Sequence, residues 1–314
     1  MTFRYRIPIE GVRIGHAVDT EVLTGTTACV FTEPATAAVH IAGGAPGTRD
    51  TELLAPEFTV GTVDALVLSG GSAFGLDAAG GAQAWLRAEG RGINLDPVRI
   101  PIVPSAILFD LRNAGNKDWG RYPPYRELGY SATSSAAESV QLGAVGAAYG
   151  AATANTPGGF GAAHAKVGEA TVMAVSAVNA LGSPLIADTD YFWAAPFEKD
   201  AEFGGRGFPN PWPEDADIAR TKAGQRLAGS NTTLAIVVTD AALSPAQAKR
   251  IAIASHDGFA RALYPVHTPG DGDLIFVAST GKILCTDDHL MDLGIQAANV
   301  VSRAIARGIY EAMQ

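Results

Sequence analysis

One stretch limits what this chain can fold into: Gly229-Ser230-Asn231-Thr232-Thr233-Leu234-Ala235-Ile236-Val237-Val238-Thr239-Asp240. A small polar cluster runs directly into a β-branched, apolar run, which predicts a turn at Gly229 and then a buried strand whose first position carries a hydroxyl. A strand end holds a side chain rigidly, so a threonine there sets a potential nucleophile beside the peptide bond that precedes it. The plainer reading of the same letters is a strand that begins with β-branched residues.

The remaining sequence supplies strands and helices around that stretch. Residues 26–31 and 37–40 read as short strands separated by turns, ahead of the glycine-dense loop Gly43-Gly44-Ala45-Pro46-Gly47-Thr48-Arg49-Asp50. Residues 63–69 read as a strand, followed by the turn Gly70-Gly71-Ser72-Ala73-Phe74-Gly75 and an alanine-rich helix to about residue 89, half of a βαβ unit. A strand is expected at 100–103, a surface excursion at 113–130, a helix at 136–152, and a break at Gly158-Gly159-Phe160-Gly161 before Lys166. The strand at 171–178 stops at Asn179, and 188–228 is a long irregular connection with several prolines. Next, Ser244-Pro245 gives an N-cap and first-turn proline, with Ala248, Ile251, Ala252, Ser255 and Phe259 at helical spacing. A loop at 267–273, a strand at 274–278 and an amphipathic helix at 293–312 complete an α/β chain read as one domain over residues 1–314.

Composition narrows the function. Hydrophobic residues make up 47% and charged residues 18%, so most of the chain is buried rather than disordered, and 36 glycines point to close helix-to-sheet packing. A net charge of -9 leaves no basic stripe to displace counterions, so nucleic acid is not an expected partner. The start lacks a secretory pattern and no apolar run reaches transmembrane length, so a cytoplasmic protein with no membrane partner is expected. Cys29, Cys285 and the six histidines show no ligand spacing, and neither metal nor cofactor is expected. The turn at Gly70 lacks the Lys-Ser/Thr of a phosphate loop, and Phe74 stands where a Gly-x-Ser-x-Gly elbow at Ser72 needs glycine. Gly71 and Ser72 are therefore read as a structural turn or a wall of a substrate site. Singly, Lys166 is a solvated lysine, Asn179 a strand-terminating residue and Asp271-Gly272-Asp273 turn chemistry.

Together, residues 43–48, 69–76, 162–167, 175–182, 231–241 and 267–273 resemble the L-aminopeptidase/D-esterase family, which includes β-peptidyl aminopeptidases and the 6-aminohexanoate-oligomer hydrolase. The specific part is Asn231-Thr232-Thr233 with Thr239-Asp240 behind it and Asp271-Gly272-Asp273 after a helix. The resemblance implies a four-layer αββα sandwich, a homo-oligomer of tetramer size or larger, and a precursor that cuts itself between Asn231 and Thr232 into residues 1–231 and 232–314. It implies that Thr232 is the nucleophile, that Asn179 donates its side-chain N–H to the oxyanion, and that Lys166 supports the site electrostatically. Asp271 and Asp273, a pair of the nylon-oligomer hydrolase type, should hold the Thr232 amine and hydroxyl. Phe109 falls where relatives carry a substrate-site tyrosine, so this chain loses a hydroxyl contact.

The chemistry also follows from the residues themselves. A threonine Oγ that attacks the preceding carbonyl gives an ester, and hydrolysis frees an α-amine. With a reference pKa of about 7.7 to 8.0, that amine can take the proton of its own hydroxyl. The resemblance implies small peptides, amino-acid amides and ω-amino oligomers as substrates. The alternatives are acyl transfer of the ornithine acetyltransferase type, a small-molecule binding protein that never processes, and, from residues 63–89 alone, a nicotinamide-dependent oxidoreductase.

Overall fold

The computed structural model describes residues 4–222 and 231–314; the turn expected at Gly229 and the end of the 188–228 connection lie outside the described residues. The elements are β1 (Arg4–Arg6), β2 (Val12–Asp19), β3 (Thr24–Ile41), β4 (Thr48–Arg49), β5 (Thr62–Ser69), α1 (Ala78–Ala88), β6 (Ile93–Leu95), β7 (Val98–Ile100), β8 (Ser105–Ile107) and α2 (Tyr125–Ser134). They continue with β9 (Ser139–Gln141), β10 (Gly159–Val167), β11 (Ala170–Asn179), β12 (Thr232–Ala241), α3 (Pro245–Ser255), α4 (Asp257–Ala260), β13 (Leu274–Ile283) and α5 (Asp287–Ala312).

The main strands run in the order β10-β11-β12-β13-β3-β5-β8-β4, with β2 also on β3. β3 serves two layers. Residues 36–41 pair with β13 and residues 24–31 with β2, while β5 follows β3 from Thr26 to Thr36 with a register shift between Val30 and Ala35. Period-two alternation then divides the side chains among three cores. Met173, Val175, Leu234, Ile236 and Phe276 pack with Cys29, Phe31, Leu66 and Leu68 between two sheet layers. From the same strands Val172, Ala174, Ala235, Val237 and Val277 point the other way, into a core with Ile251 of α3 and Val300, Val301 and Ala304 of α5. On the opposite side Ala28, Val30, Ala65 and Val67 meet Ala78, Ala82 and Leu86 of α1 and Tyr125 and Leu128 of α2. Three cores separate four layers, which is the αββα sandwich. Strands covered on both faces explain why their sequences are apolar almost without interruption.

Glycine sets the closest of these contacts. A Cβ on Gly159 would lie 2.0 Å from the Gly308 carbonyl oxygen, and one on Gly161 1.9 Å from that of Ala304. Residues 159–161 therefore open β10 against α5 instead of breaking the chain. Other expectations also change. Residues 26–31 and 37–40 belong to one strand, and 136–152 holds β9 and a 3-10 turn at Gly146–Ala148 rather than a helix. Gly143 and Gly146 adopt φ of 94° and 53°, which an α-helix does not contain. The 113–130 excursion runs into α2, whose Tyr125 is buried, and the strand expected at 100–103 is met only by β7, which ends at Ile100. α5 starts ahead of the expected residue 293 because the Thr286 side chain caps it, accepting from the His289 N–H. The Ser244 N-cap and first-turn Pro245 of α3 are formed as expected, and Gln247 completes a capping box with Ser244. Among the described residues no helix is long and apolar enough to cross a membrane.

Gly161→Ala should overpack the β10–α5 contact and lower stability by about 1–3 kcal/mol, read as a lower denaturant midpoint. An unchanged midpoint would mean that α5 moves off β10 without cost.

Candidate active site

Strand register assembles the site. Asn179, the last residue of β11, stands opposite Thr232, the first of β12; β12 runs parallel to β13 from the Leu234–Leu274 pair, and Asn231 bridges to Asp271. Asn179, Asn231-Thr232 and Asp271-Gly272-Asp273 thus meet at one end of three adjacent strands. All six residues but Gly272 are at most 2% exposed, and Gly272 is buried as well.

The Thr232 hydroxyl donates to the Asn231 carbonyl oxygen at 2.5 Å. The Gly272 N–H reaches both that carbonyl oxygen, at 2.9 Å, and the hydroxyl, at 3.1 Å. Asp273 accepts the Thr233 N–H on Oδ1 at 2.7 Å, and on Oδ2 the N–H and ring Nδ1 of His267 at 3.1 and 2.9 Å. Asp271 accepts the N–H and hydroxyl of Thr268, at 3.0 and 2.6 Å, and the Leu181 N–H at 3.4 Å. Burial pushes the Asp271 carboxyl above its ordinary range, and the charge of Asp273 adds to the rise. Asn179 Oδ1 accepts from the Ala152 N–H at 3.1 Å and from Lys222 at 3.0 Å; these donors fix the amide so that Nδ2 donates to the Phe109 carbonyl at 2.8 Å.

The lysine at this place is Lys222, and the expectation for Lys166 is corrected. Lys166 lies exposed near the hairpin end of β10, opposite Thr171, whose hydroxyl takes its ammonium at 2.8 Å. Thr171 and Asn179 are separated along β11 by a rise of roughly 25 Å at about 3.3 Å per residue. Lys166 is the solvated lysine that its letters alone suggest. Lys222 is buried, its backbone N–H held by the Leu181 carbonyl at 3.1 Å. Burial pushes its ammonium down to about 7, opposed by the charge of Asp271. A single lysine in an irregular connection carries no periodic signal, which is why spacing does not find it.

Phe109 reaches the site through its carbonyl, while its ring lies 5.8 Å from the Arg112 guanidinium. Gly71 and Ser72 both have left-handed backbone, φ 85° and 52°. The Gly71 N–H and the Thr24 hydroxyl bind the Asp110 carboxylate at 2.7 and 2.6 Å, and the Ser72 N–H binds the Leu108 carbonyl at 3.0 Å. The turn therefore anchors the segment that carries Phe109. Among the described residues no group of three His, Cys, Asp or Glu side chains could hold a metal ion. The arrangement places a hydroxyl against a carbonyl polarised by a backbone N–H, with carboxylates and a lysine of lowered proton affinity around it, out of contact with bulk water.

Comparison with known proteins gives the same direction. The model of peptidase family S58 matches residues 7–314. An uncharacterized aminopeptidase of Mycobacterium tuberculosis is 38% identical over 327 residues, covering 97% of this chain and 93% of its own length. A 6-aminohexanoate-oligomer endohydrolase of Kocuria sp. is 27% identical over 301 residues, covering 90% of this chain and 76% of its own. The solved β-aminopeptidase of Burkholderia sp. superposes with a TM-score of 0.68 at 19% identity, covering 98% of this chain and 87% of its own. The L-aminopeptidase D-Ala-esterase/amidase of Ochrobactrum anthropi, described as a variant of the Ntn hydrolase fold, gives 0.69 at 19% identity, covering 97% and 84%. At these identities the two structures establish the fold.

Lys222 binds a proton less readily folded, at about 7, than at the ordinary 10.5. Between those values the unfolded chain holds a proton that the folded chain lacks, so this lysine makes stability rise with pH there and adds no slope below. In a Thr232→Ala background, Lys222→Met should lose that rise in urea unfolding at neutral and alkaline pH. Lys166→Met, made in the chain that keeps Thr232, should leave turnover at the wild-type level, whereas Lys222→Met there should lower it. The opposite pattern would return the site lysine to Lys166.

Proposed function

The chain belongs to peptidase family S58 and is a hydrolase of amide or peptide bonds, and from that premise we propose that it is a self-processing amidohydrolase or aminopeptidase with Thr232 as its nucleophile. One observation carries the reading: the Thr232 hydroxyl lies on the carbonyl of the residue before it, and the Gly272 N–H is bonded to that same carbonyl oxygen. Oγ1 attacks the Asn231 carbonyl carbon, the Asn231–Thr232 C–N bond breaks, and the hydroxyl proton passes to the departing nitrogen. Water then cleaves the ester, leaving a carboxylate on Asn231 and a free amine on Thr232. A single domain over residues 1–314 becomes residues 1–231 and 232–314 held in one fold.

The new amine takes the hydroxyl proton when Thr232 attacks a substrate amide, giving an acyl-Thr232 ester that water hydrolyses. Asn179 uses its second Nδ2–H on the tetrahedral oxyanion. Lys222 takes the electrostatic part first assigned to Lys166, beside Asp271, while Asp273 holds the start of the nucleophile strand. Small peptides, amino-acid amides and ω-amino-acid oligomers are the substrate classes this reading favours. The names of the similar proteins, aminopeptidase and 6-aminohexanoate-oligomer endohydrolase, support them. Gly71, Ser72 and Phe109 form one wall of the substrate site, and the assembled enzyme is a homo-oligomer.

Intact-mass measurement should give two masses for the wild type, matching residues 1–231 and 232–314, and one for Thr232→Ala. A single wild-type mass alongside amide hydrolysis would reject self-processing. Asn179→Ala should lower the turnover of cleaved enzyme by roughly 10²- to 10³-fold; near-wild-type turnover would remove Asn179 from the oxyanion role.

A further inference from the structure

Behind Asp273 stands a file of histidines that the chemistry above leaves unused. His267 has left-handed backbone, φ 55°, which turns both its N–H and its ring Nδ1 onto Asp273 Oδ2, at 3.1 and 2.9 Å. Its Nε2 lies 3.2 Å from His256 Nδ1, and His256 Nε2 lies 3.1 Å from the His40 carbonyl oxygen. The His256 ring packs edge-on to both His267 and His40, with centroids 4.8 and 4.9 Å apart.

Hydrogen-bond counting places the protons. A carbonyl oxygen only accepts, so His256 Nε2 carries a hydrogen. Burial pushes His256 down to about 4, so its ring is neutral at neutral pH and its Nδ1 accepts. His267 Nε2 must then donate to it. Asp273 already accepts the backbone N–H groups of Thr233 and His267, a setting that favours its ionised form, so His267 Nδ1 donates as well. A ring that donates from both nitrogens is an imidazolium.

We propose that His267 is a positioning residue, an imidazolium that keeps Asp273 ionised and aimed at the Thr233 N–H beside the nucleophile, with His256 as the acceptor that maintains it. The inference deepens the Thr232 reading and rests on it for the identity of the nucleophile. The charged and titratable groups around His267 are Asp271 and Asp273 ahead of β13, His256 between α3 and α4, His40 on β3, and Lys249 on α3, whose ammonium reaches the Val39 carbonyl at 2.5 Å. Lys222 stands beyond Asp271, and Glu57 faces Lys249.

His267→Gln keeps an amide donor and removes the charge beside the carboxylate, so the acidic limb of the rate-against-pH profile should move to higher pH. The limb is measured for self-cleavage and for hydrolysis of an amino-acid amide, with thermal unfolding alongside. A profile that superimposes on the wild type, whatever the overall rate, overturns the proposal. Nitrogen-15 NMR of histidine-labelled wild-type protein tests it without a variant: both His267 nitrogens should be protonated at neutral pH, and a neutral ring overturns it. Wild-type protein that hydrolyses amides without cutting before Thr232 would sink the self-processing reading instead, and the hydrolysis profile and the NMR result would still judge His267.

Discussion

The backbone N–H of Gly272 is the contact on which the site depends, because it binds the Asn231 carbonyl and the Thr232 hydroxyl at once. Nothing larger than glycine fits: a Cβ there would lie 2.5 Å from Oγ1 and 2.8 Å from the Ala45 carbonyl oxygen. The N–H reaches this place because β12 and β13 run parallel in fixed register, a pairing that requires a crossover, here built from α3 and α4. The 43–47 loop is tied over the same turn, with the Ala42 and Gly43 N–H groups on the Asp273 carbonyl and that of Ala45 on Asp271. Sheet order, crossover and loop thus converge on one donor.

Around that donor the protein buries charges that would be costly alone. Each carboxylate is met by N–H or hydroxyl donors from its own loop or the adjoining strand: Asp271 by Thr268 and Leu181, Asp273 by Thr233 and His267. A cationic partner comes from elsewhere in the sequence: Lys222 arrives from the irregular connection ahead of β12. Burial, with the like charge of Asp273 added, raises the Asp271 carboxyl, and burial brings Lys222 to about 7, so the site holds a lysine able to exchange a proton near neutrality.

The fold was legible where strands are buried on both faces. The apolar runs at 63–69, 171–178, 232–240 and 274–278 all fall within strands. Which face of such a strand meets helices and which meets the second sheet is not written in a continuous apolar run, so the αββα layering came only from the resemblance. The expected helix at 136–152 failed because its alanine and glycine content fits close packing as well as helix, and left-handed Gly143 and Gly146 decide the matter. Asn179, Thr232, Asp271 and Asp273, which the resemblance singles out, come together because each sits at a strand end or beside one. Lys222 and His256 carry no such signal, since they join the site through tertiary contacts alone, and the motif that singles out Lys166 lies on a strand that holds its lysine at the opposite end.

On the self-processing reading, Asn231 is the enzyme's first substrate, and its carbonyl occupies the position that later acyl groups take. The confines of that position are then properties of the fold: Gly272 on one side, Ala45 and Pro46 close behind it, and the Phe109–Asn179 contact across the strand end. The same crowding that presses Thr232 onto its own carbonyl would therefore limit what it attacks afterwards.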